Sequence, residues 1–209
     1  SDVAAALRDG DVVIDFSIPV STLPLLRQAA ASGLACVVGT TGFTPAELEE
    51  IVGLAAKIPI VHAPNFSVSV NVLTHLVAEA ARLLGPSYDA EIVELHHAAK
   101  RDAPSGTALA LAAAIATARG ENLAEHAVLV REGDIGPRPA GAIGMQSLRG
   151  GDNPGEHTVL FLGAGERLEL LHRAATRDHF ARGAVRAARW LLGRGPGLHH
   201  MGEVLGLSH

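Results

Sequence analysis

The sequence predicts an α/β chain in two regions, a doubly wound parallel sheet and an α+β region built on a mixed or antiparallel sheet. Three observations lead there. Short, near-continuously apolar segments alternate with helical patterns early in the chain, as strands covered on both faces by crossover helices do. Beyond about Gly120 the pattern changes to strands joined by Gly- and Pro-rich turns. Hydrophobic residues make up 48% of the 209 positions but aromatic ones only 3%, so Ala, Val and Leu must fill a sizeable core.

Taken in order, Ser1 to Leu7 reads as a short helix closed by Arg8-Asp-Gly10. Asp11 to Phe16 is the first strand, Ser21 to Ala31 a helix ended by Gly33, and Ala35 to Gly39 the second strand. Thr44-Pro-Ala-Glu47 is a capping box with proline at the first helical position, opening a helix to about Ala56. Pro59 to Ala63 is the third strand, and Asn65 to about Leu84 is mostly a long helix. Asp89 to His97 is a strand, followed by a helix that runs from Ser105 to near Gly120 and, being apolar all round, is expected to be buried on every face. Ala127 to Arg131, Gly141 to Arg149, His157 to Leu162 and Glu166 to Ala175 read as strands, with Gly163-Ala-Gly-Glu166 as a hairpin loop. Asp178 to Leu192 is a last helix, and a short tail follows.

Composition excludes several function classes. A net charge of -5 without a basic stripe argues against nucleic acid. No apolar run approaches the ~18 residues of a membrane span, and no signal peptide opens the chain. The single cysteine, Cys36, lies in an apolar strand and reads as a buried residue of a protein in a reducing compartment, so the expected location is the cytoplasm.

The chemistry concentrates in Glu94-Leu-His-His-Ala-Ala-Lys-Arg-Asp-Ala-Pro-Ser-Gly-Thr107. Ser105 stands at the N-cap of the following helix, whose first turn holds Gly106 and Thr107. Its N–H groups and the positive end of its dipole suit a carboxylate or phosphate. Strand alternation puts Glu94 and His96 on one face and Leu95 and His97 on the other, so the two histidines point apart and do not chelate one metal; no metal site is expected. His96 alone reads as a structural histidine, Lys100 as a solvated lysine and Asp102 as a turn former. Together with the helix N-terminus they make a proton donor, a cation and an anion cradle, which suits protonation next to a bound carboxylate. In parallel sheets ligands bind beyond the carboxyl ends of the strands, here Phe16-Ser17, Gly39-Thr-Thr-Gly42 and Ala63-Pro-Asn-Phe66.

The central stretch resembles the signature of the 4-hydroxy-tetrahydrodipicolinate (dihydrodipicolinate) reductase family. Val13-Ile-Asp-Phe-Ser17, Gly39-Thr-Thr-Gly-Phe43, Ala63-Pro-Asn-Phe-Ser67, Gly155-Glu-His157 and Glu203-Val-Leu-Gly-Leu207 extend the likeness over essentially the whole sequence. Ser69 stands where the family usually has glycine. The resemblance implies an enzyme of lysine and diaminopimelate biosynthesis that reduces a cyclic unsaturated dicarboxylate with NADH or NADPH. It implies His96 as acid/base, Lys100 as proton donor, and His97, Gly106 and Thr107 as ligands of a substrate carboxylate. Gly39, Thr40 and Thr41, with Ala63, Pro64, Asn65 and Phe66, would line the nicotinamide side of the cofactor. On this basis residues 1–67 and 177–209 form a partial Rossmann-type nucleotide-binding domain. Residues 68–176 form the substrate-binding domain, whose sheet builds a homotetramer.

The family opens with a strand, a Gly-x-x-Gly-x-x-Gly turn and a helix that hold the cofactor pyrophosphate, and no counterpart stands before the strand at Val13. A non-catalytic carboxylate-binding or assembly protein on the same scaffold is therefore the alternative expectation. The missing charge-assisted hydrogen bonds, at ~1.5–3 kcal/mol each, would weaken dinucleotide binding by orders of magnitude. The 209-residue chain alone is expected to bind NADPH poorly while keeping its carboxylate cradle. Calorimetry with NADPH and with pyridine-2,6-dicarboxylate checks both halves, and micromolar NADPH binding by this chain would refute the expectation.

Overall fold

A computed structural model describes residues 10–207. The helix expected over Ser1 to Leu7 lies outside the described residues. The chain divides into two compact units, Ser1–Asn71 with Asp178–His209, and Val72–Arg177.

The first unit is built on β1 (Val12–Asp15), α1 (Pro19–Ser32), β2 (Ala35–Val38), α2 (Pro45–Ala55) and β3 (Pro59–His62). The strands pair in parallel, with Val13 beside Cys36 and Cys36 beside Ile60. All four β2 residues are buried, because alternate side chains enter two different cores. Cys36, Val38 and Ile60 pack with Leu23, Leu26, Ile51 and Leu54 of α1 and α2. Ala35, Val37 and Val61 point the other way, into Ala184, Ala187 and Leu191 of α6 (Asp178–Leu191) and Met201 and Val204 of α7 (Met201–Leu205). The expected punctuation is present. Gly33 closes α1 in the left-handed conformation at φ 71°, and Thr44 and Glu47 form a reciprocal capping box at the start of α2.

One strand of this sheet differs from expectation. The residues read as a tail include β9 (Gly197–His199), which pairs in parallel with β3, so the sheet order is β1-β2-β3-β9. Three residues carry too little alternation to read as a strand, and the pairing with β3 decides their conformation.

The second unit takes α3 (Val68–Leu84) from Val72 onward, then β4 (Asp89–His96), α4 (Gly106–Arg119), a short α5 (Leu123–His126), β5 (Ala127–Val128), β6 (Ile143–Arg149), β7 (Glu156–Leu162) and β8 (Arg167–Arg173). Its sheet is mixed, in the order β5-β6-β4-β7-β8. β4 runs parallel to β6 and antiparallel to β7, and β7 and β8 form a hairpin. Gly163 N–H donates to the Glu166 carbonyl at 3.0 Å to close that hairpin.

Two expectations need correction here. The helix α4 is not buried all round: Ala108, Leu111, Ala112, Ile115 and Ala116 face the core, while Leu109 is 41% exposed. Alanine at the outward positions hid the 3.6-residue period, since it leaves little apolar area in water whichever way it points. The strand expected over Ala127 to Arg131 stops at Val128, and Arg131 turns to meet Glu91 in a bidentate pair at 2.7 and 2.8 Å. Among the described residues no helix is long and apolar enough to cross a membrane.

Gly183 on α6 offers a test of the first unit. A Cβ there would collide with the backbone carbonyl of Phe66, which has little room to give. Gly→Ala in a helix interior ordinarily stabilises by ~1 kcal/mol. Here the clash should reverse the sign, and Gly183→Ala should lose ~1–3 kcal/mol. Urea denaturation measures this, and a stabilised variant would refute the packing.

Candidate active site

The second unit gathers the reactive side chains at the carboxyl end of β4. Alternation puts Glu94 and His96 on one face, as expected; it is the helix-covered face, and both are buried. The sheet register then adds neighbours that lie far off in sequence. Arg149 of β6 stands beside His96, and His157 of β7 opposite Glu94.

Glu94 has no exposure at all, and both its oxygens are occupied. Oε1 accepts from Arg149 Nη2 at 2.8 Å and from the Ser105 N–H at 3.1 Å. Oε2 accepts from Arg149 Nη1 at 2.8 Å and lies 2.5 Å from His96 Nδ1. Burial alone pushes a carboxyl pKa up. Hydrogen bonds from Arg149, Ser147 and His96 outweigh that and hold Glu94 down to about 2. An ionised carboxylate only accepts, so the His96 ring carries its proton on Nδ1. Burial draws the His96 pKa below its ordinary value, against the pull of Glu94 and with help from Lys100 and Arg149. The neutral ring thus presents Nε2 as the available nitrogen. Gly155, at φ 149°, keeps that edge open, since a Cβ there would press on Nε2.

His157 completes the buried layer. Its Nε2 lies 3.0 Å from Ser105 Oγ, and its ring packs edge-on to His96 with centroids 5.1 Å apart. Burial and then the charge on His96 lower its pKa to about 4, so it stays neutral. Its Nδ1 is buried with no hydrogen-bond partner. Ser105 also caps α4, accepting the Ala108 N–H at 3.1 Å, which places Gly106 and Thr107 in the first turn as expected.

Lys100 and His97 sit on the loop after β4. Backbone bonds from Gly150 N–H to His96, from His97 N–H to Asn153 and from Ala98 N–H to Gly151 hold this loop to the turn between β6 and β7. Lys100 Nζ donates to both Asp102 oxygens at 2.8 Å, so Asp102 is its partner in this state and not simply a turn former. His97 Nε2 lies 3.3 Å from Arg177 Nη2.

In the first unit, the carboxyl ends of the parallel strands carry the residues expected at a cofactor. Gly39 to Thr41 follow β2, and Ala63 to Phe66 follow β3. The Gly39 N–H donates to the Asp15 carbonyl at 2.8 Å, and a side chain at Gly39 would collide with the Phe16 ring. Thr40 turns inward: its hydroxyl lies 2.9 Å from that of Thr22 and 3.3 Å from buried Asp15, while Thr22 donates to Asp15 at 2.5 Å. Thr41 and Pro64 are exposed, Ala63 and Phe66 are buried, and Asn65 accepts the Ser67 N–H at 2.8 Å. Side-chain clusters arranged to hold a metal ion are absent among the described residues.

Sequence reasoning missed Glu94, Arg149 and His157 as members of the site, and Asp15 as the anchor of the β2 turn. The Glu94-x-His96 alternation signalled the first, and the family-like stretches Gly155-Glu-His157 and Val13-Ile-Asp-Phe-Ser17 contained His157 and Asp15 without giving them a role. Arg149 and His157 reach the site through cross-strand register, which a single sequence does not display.

Residues 69–205 match the family profile described as Dihydrodipicolinate reductase, C-terminus, and residues 1–66 match Dihydrodipicolinate reductase, N-terminus. A curated relative from Syntrophobacter fumaroxidans, named 4-hydroxy-tetrahydrodipicolinate reductase, is 53% identical over 208 residues, covering 100% of this chain and 78% of its own length. The protein of that name from Myxococcus xanthus is 55% identical over 198 residues, covering 95% and 73%. Among solved structures, a dipicolinate-bound dihydrodipicolinate reductase from Paenisporosarcina sp. TG-14 aligns at a TM-score of 0.75 and 27% identity, over 92% of this chain and 72% of that one. With both halves matched and relatives this similar over nearly its whole length, the chain belongs to the dihydrodipicolinate reductase family.

Proposed function

We propose that the chain reduces 4-hydroxy-tetrahydrodipicolinate to tetrahydrodipicolinate with NADH or NADPH, in lysine and diaminopimelate biosynthesis. The observation that carries this reading is the oriented His96 imidazole beside a lysine and a helix N-terminus, in a chain whose curated relatives bear that name. The dipicolinate in a related structure suits the same cradle, because both molecules offer carboxylates.

The first unit fits a dinucleotide. The turn after its second strand is exposed at Thr41 and Gly42, and Gly42, at φ 86°, has nothing within 4 Å of an added Cβ. Gly39, Thr40 and Thr41, with Ala63 to Phe66, would hold the nicotinamide end, Thr40 through its backbone because its hydroxyl is engaged by Asp15 and Thr22. The cofactor supplies hydride. The protein supplies the proton with which the 4-hydroxyl leaves as water, and the charge that holds the substrate. Lys100 is an ammonium donor whose Asp102 partner is exposed and can release it to a substrate carboxylate. The N–H groups of Gly106 and Thr107 bind a carboxylate at the start of α4, and His97 supports it from the preceding loop. His96 takes up or returns a proton at Nε2, with Nδ1 fixed on Glu94.

Assembly is a homotetramer through the mixed sheet. Leu148 and Leu171 are 51% and 48% exposed on the face that alternation turns away from the α4 core, and β5 and β8 leave open edges.

His96→Ala and Lys100→Ala are each expected to lower kcat by ~10²–10⁴-fold in the cofactor-competent protein, and Lys100→Ala to raise KM for the dicarboxylate as well. Steady-state kinetics close to wild type in both variants would refute the roles. Light scattering at micromolar concentration should return four times the chain mass, and a monomer would refute the assembly.

A further inference from the structure

We propose that Glu94 and Arg149 are positioning residues for His96: the buried carboxylate holds the imidazole in its Nδ1–H tautomer with Nε2 presented, and the guanidinium holds the carboxylate. This rests on the reading of His96 as the acid/base group.

The geometry leaves each group one arrangement. Arg149 grips both Glu94 oxygens in a planar fork, and the Ser105 N–H fixes one of them again, so the carboxylate cannot rotate away from the ring. Arg149 is itself tied down, donating to the Asp102 carbonyl at 2.6 Å and the Leu148 carbonyl at 2.7 Å. The same ties join the imidazole to the anion cradle, since Ser105 caps α4 while its N–H binds Glu94. Gly155 keeps the Nε2 edge clear.

Four charged or titratable groups face the ring: Glu94 from its own strand, Lys100 from the following loop, Arg149 from β6 and His157 from β7. Their signs oppose one another. The carboxylate favours the imidazolium, whereas Arg149 and Lys100 disfavour it. Arg149 therefore lets Glu94 orient the ring without converting it to a permanently charged pair. Removing the carboxylate should make the imidazole harder to protonate, and removing the guanidinium should make it easier. Nearby charges oppose one another in this way whatever their role, so the tautomer of the ring separates positioning from a pair that only holds the sheet together.

The test uses the full chain labelled with 15N-histidine, the His96 signals being assigned by their loss in His96→Asn. Wild-type His96 is expected as the Nδ1–H tautomer. Its midpoint should fall in Glu94→Gln and rise in Arg149→Met, with kcat lowered at least ~10-fold in each and KM changed less. An Nε2–H tautomer in the wild type, or shifts of the same direction in the two variants, would overturn the proposal. If Glu94→Gln does not fold, Arg149→Met alone decides, because an unchanged or lowered midpoint there overturns it as well. The Nδ1–H tautomer and opposite shifts with kcat unchanged would uphold the positioning and overturn the catalytic reading of His96 instead.

Discussion

A carboxylate sealed from water must find all its partners in the protein, and Glu94 has organised the second unit around that need. Its partners come from three separate elements: Arg149 at the end of β6, the Ser105 N–H at the start of α4, and His96 two residues along its own strand. Losing one partner of a buried ion pair typically costs ~3–5 kcal/mol, because the other charge is left without solvent. The end of β4, the end of β6 and the α4 N-cap are therefore fixed together by one group. Those are the elements that carry the imidazole and the anion cradle.

The first unit solves a comparable problem with hydroxyls. Asp15 lies buried at the end of β1, and Thr22, Thr40 and the Ser17 N–H surround it. The network ties the turn after β2 to the turn after β1 and spends its side chains inward. What the turn shows to solvent is consequently Thr41 and Gly42, while the Thr40 hydroxyl is spent inward. The two units thus present different chemistry, one centred on a carboxylate paired with a guanidinium and the other on a carboxylate held by hydroxyls and a backbone N–H.

Much of this was legible in the sequence, for identifiable reasons. The apolar runs at Val12, Ala35 and Pro59, the Thr44–Glu47 box and the glycines after α1 and α4 report local physics, and local physics decided those elements. The chemical stretch was legible because His96, Lys100 and Ser105 are close in sequence and each residue type has a narrow set of uses. What stayed hidden depends on contacts between distant residues. β9 exists because β3 has an open edge, Arg149 and His157 join the site because of register, and α4 conceals an exposed face because Leu109, Ala110 and Ala113 on it are as apolar as its core side.

The insertion of one unit within the other has a consequence for the order of synthesis. The sheet of the first unit closes with β9, which leaves the ribosome only after the whole of Val72–Arg177 has been made. At ~5–20 residues per second that delay is roughly 5–20 s. During it the nascent β3 edge and the apolar face meant for α6 have no cover, while the inserted unit is continuous in sequence. Strands β1 to β3 thus reach their final pairing only after the inserted unit has been made.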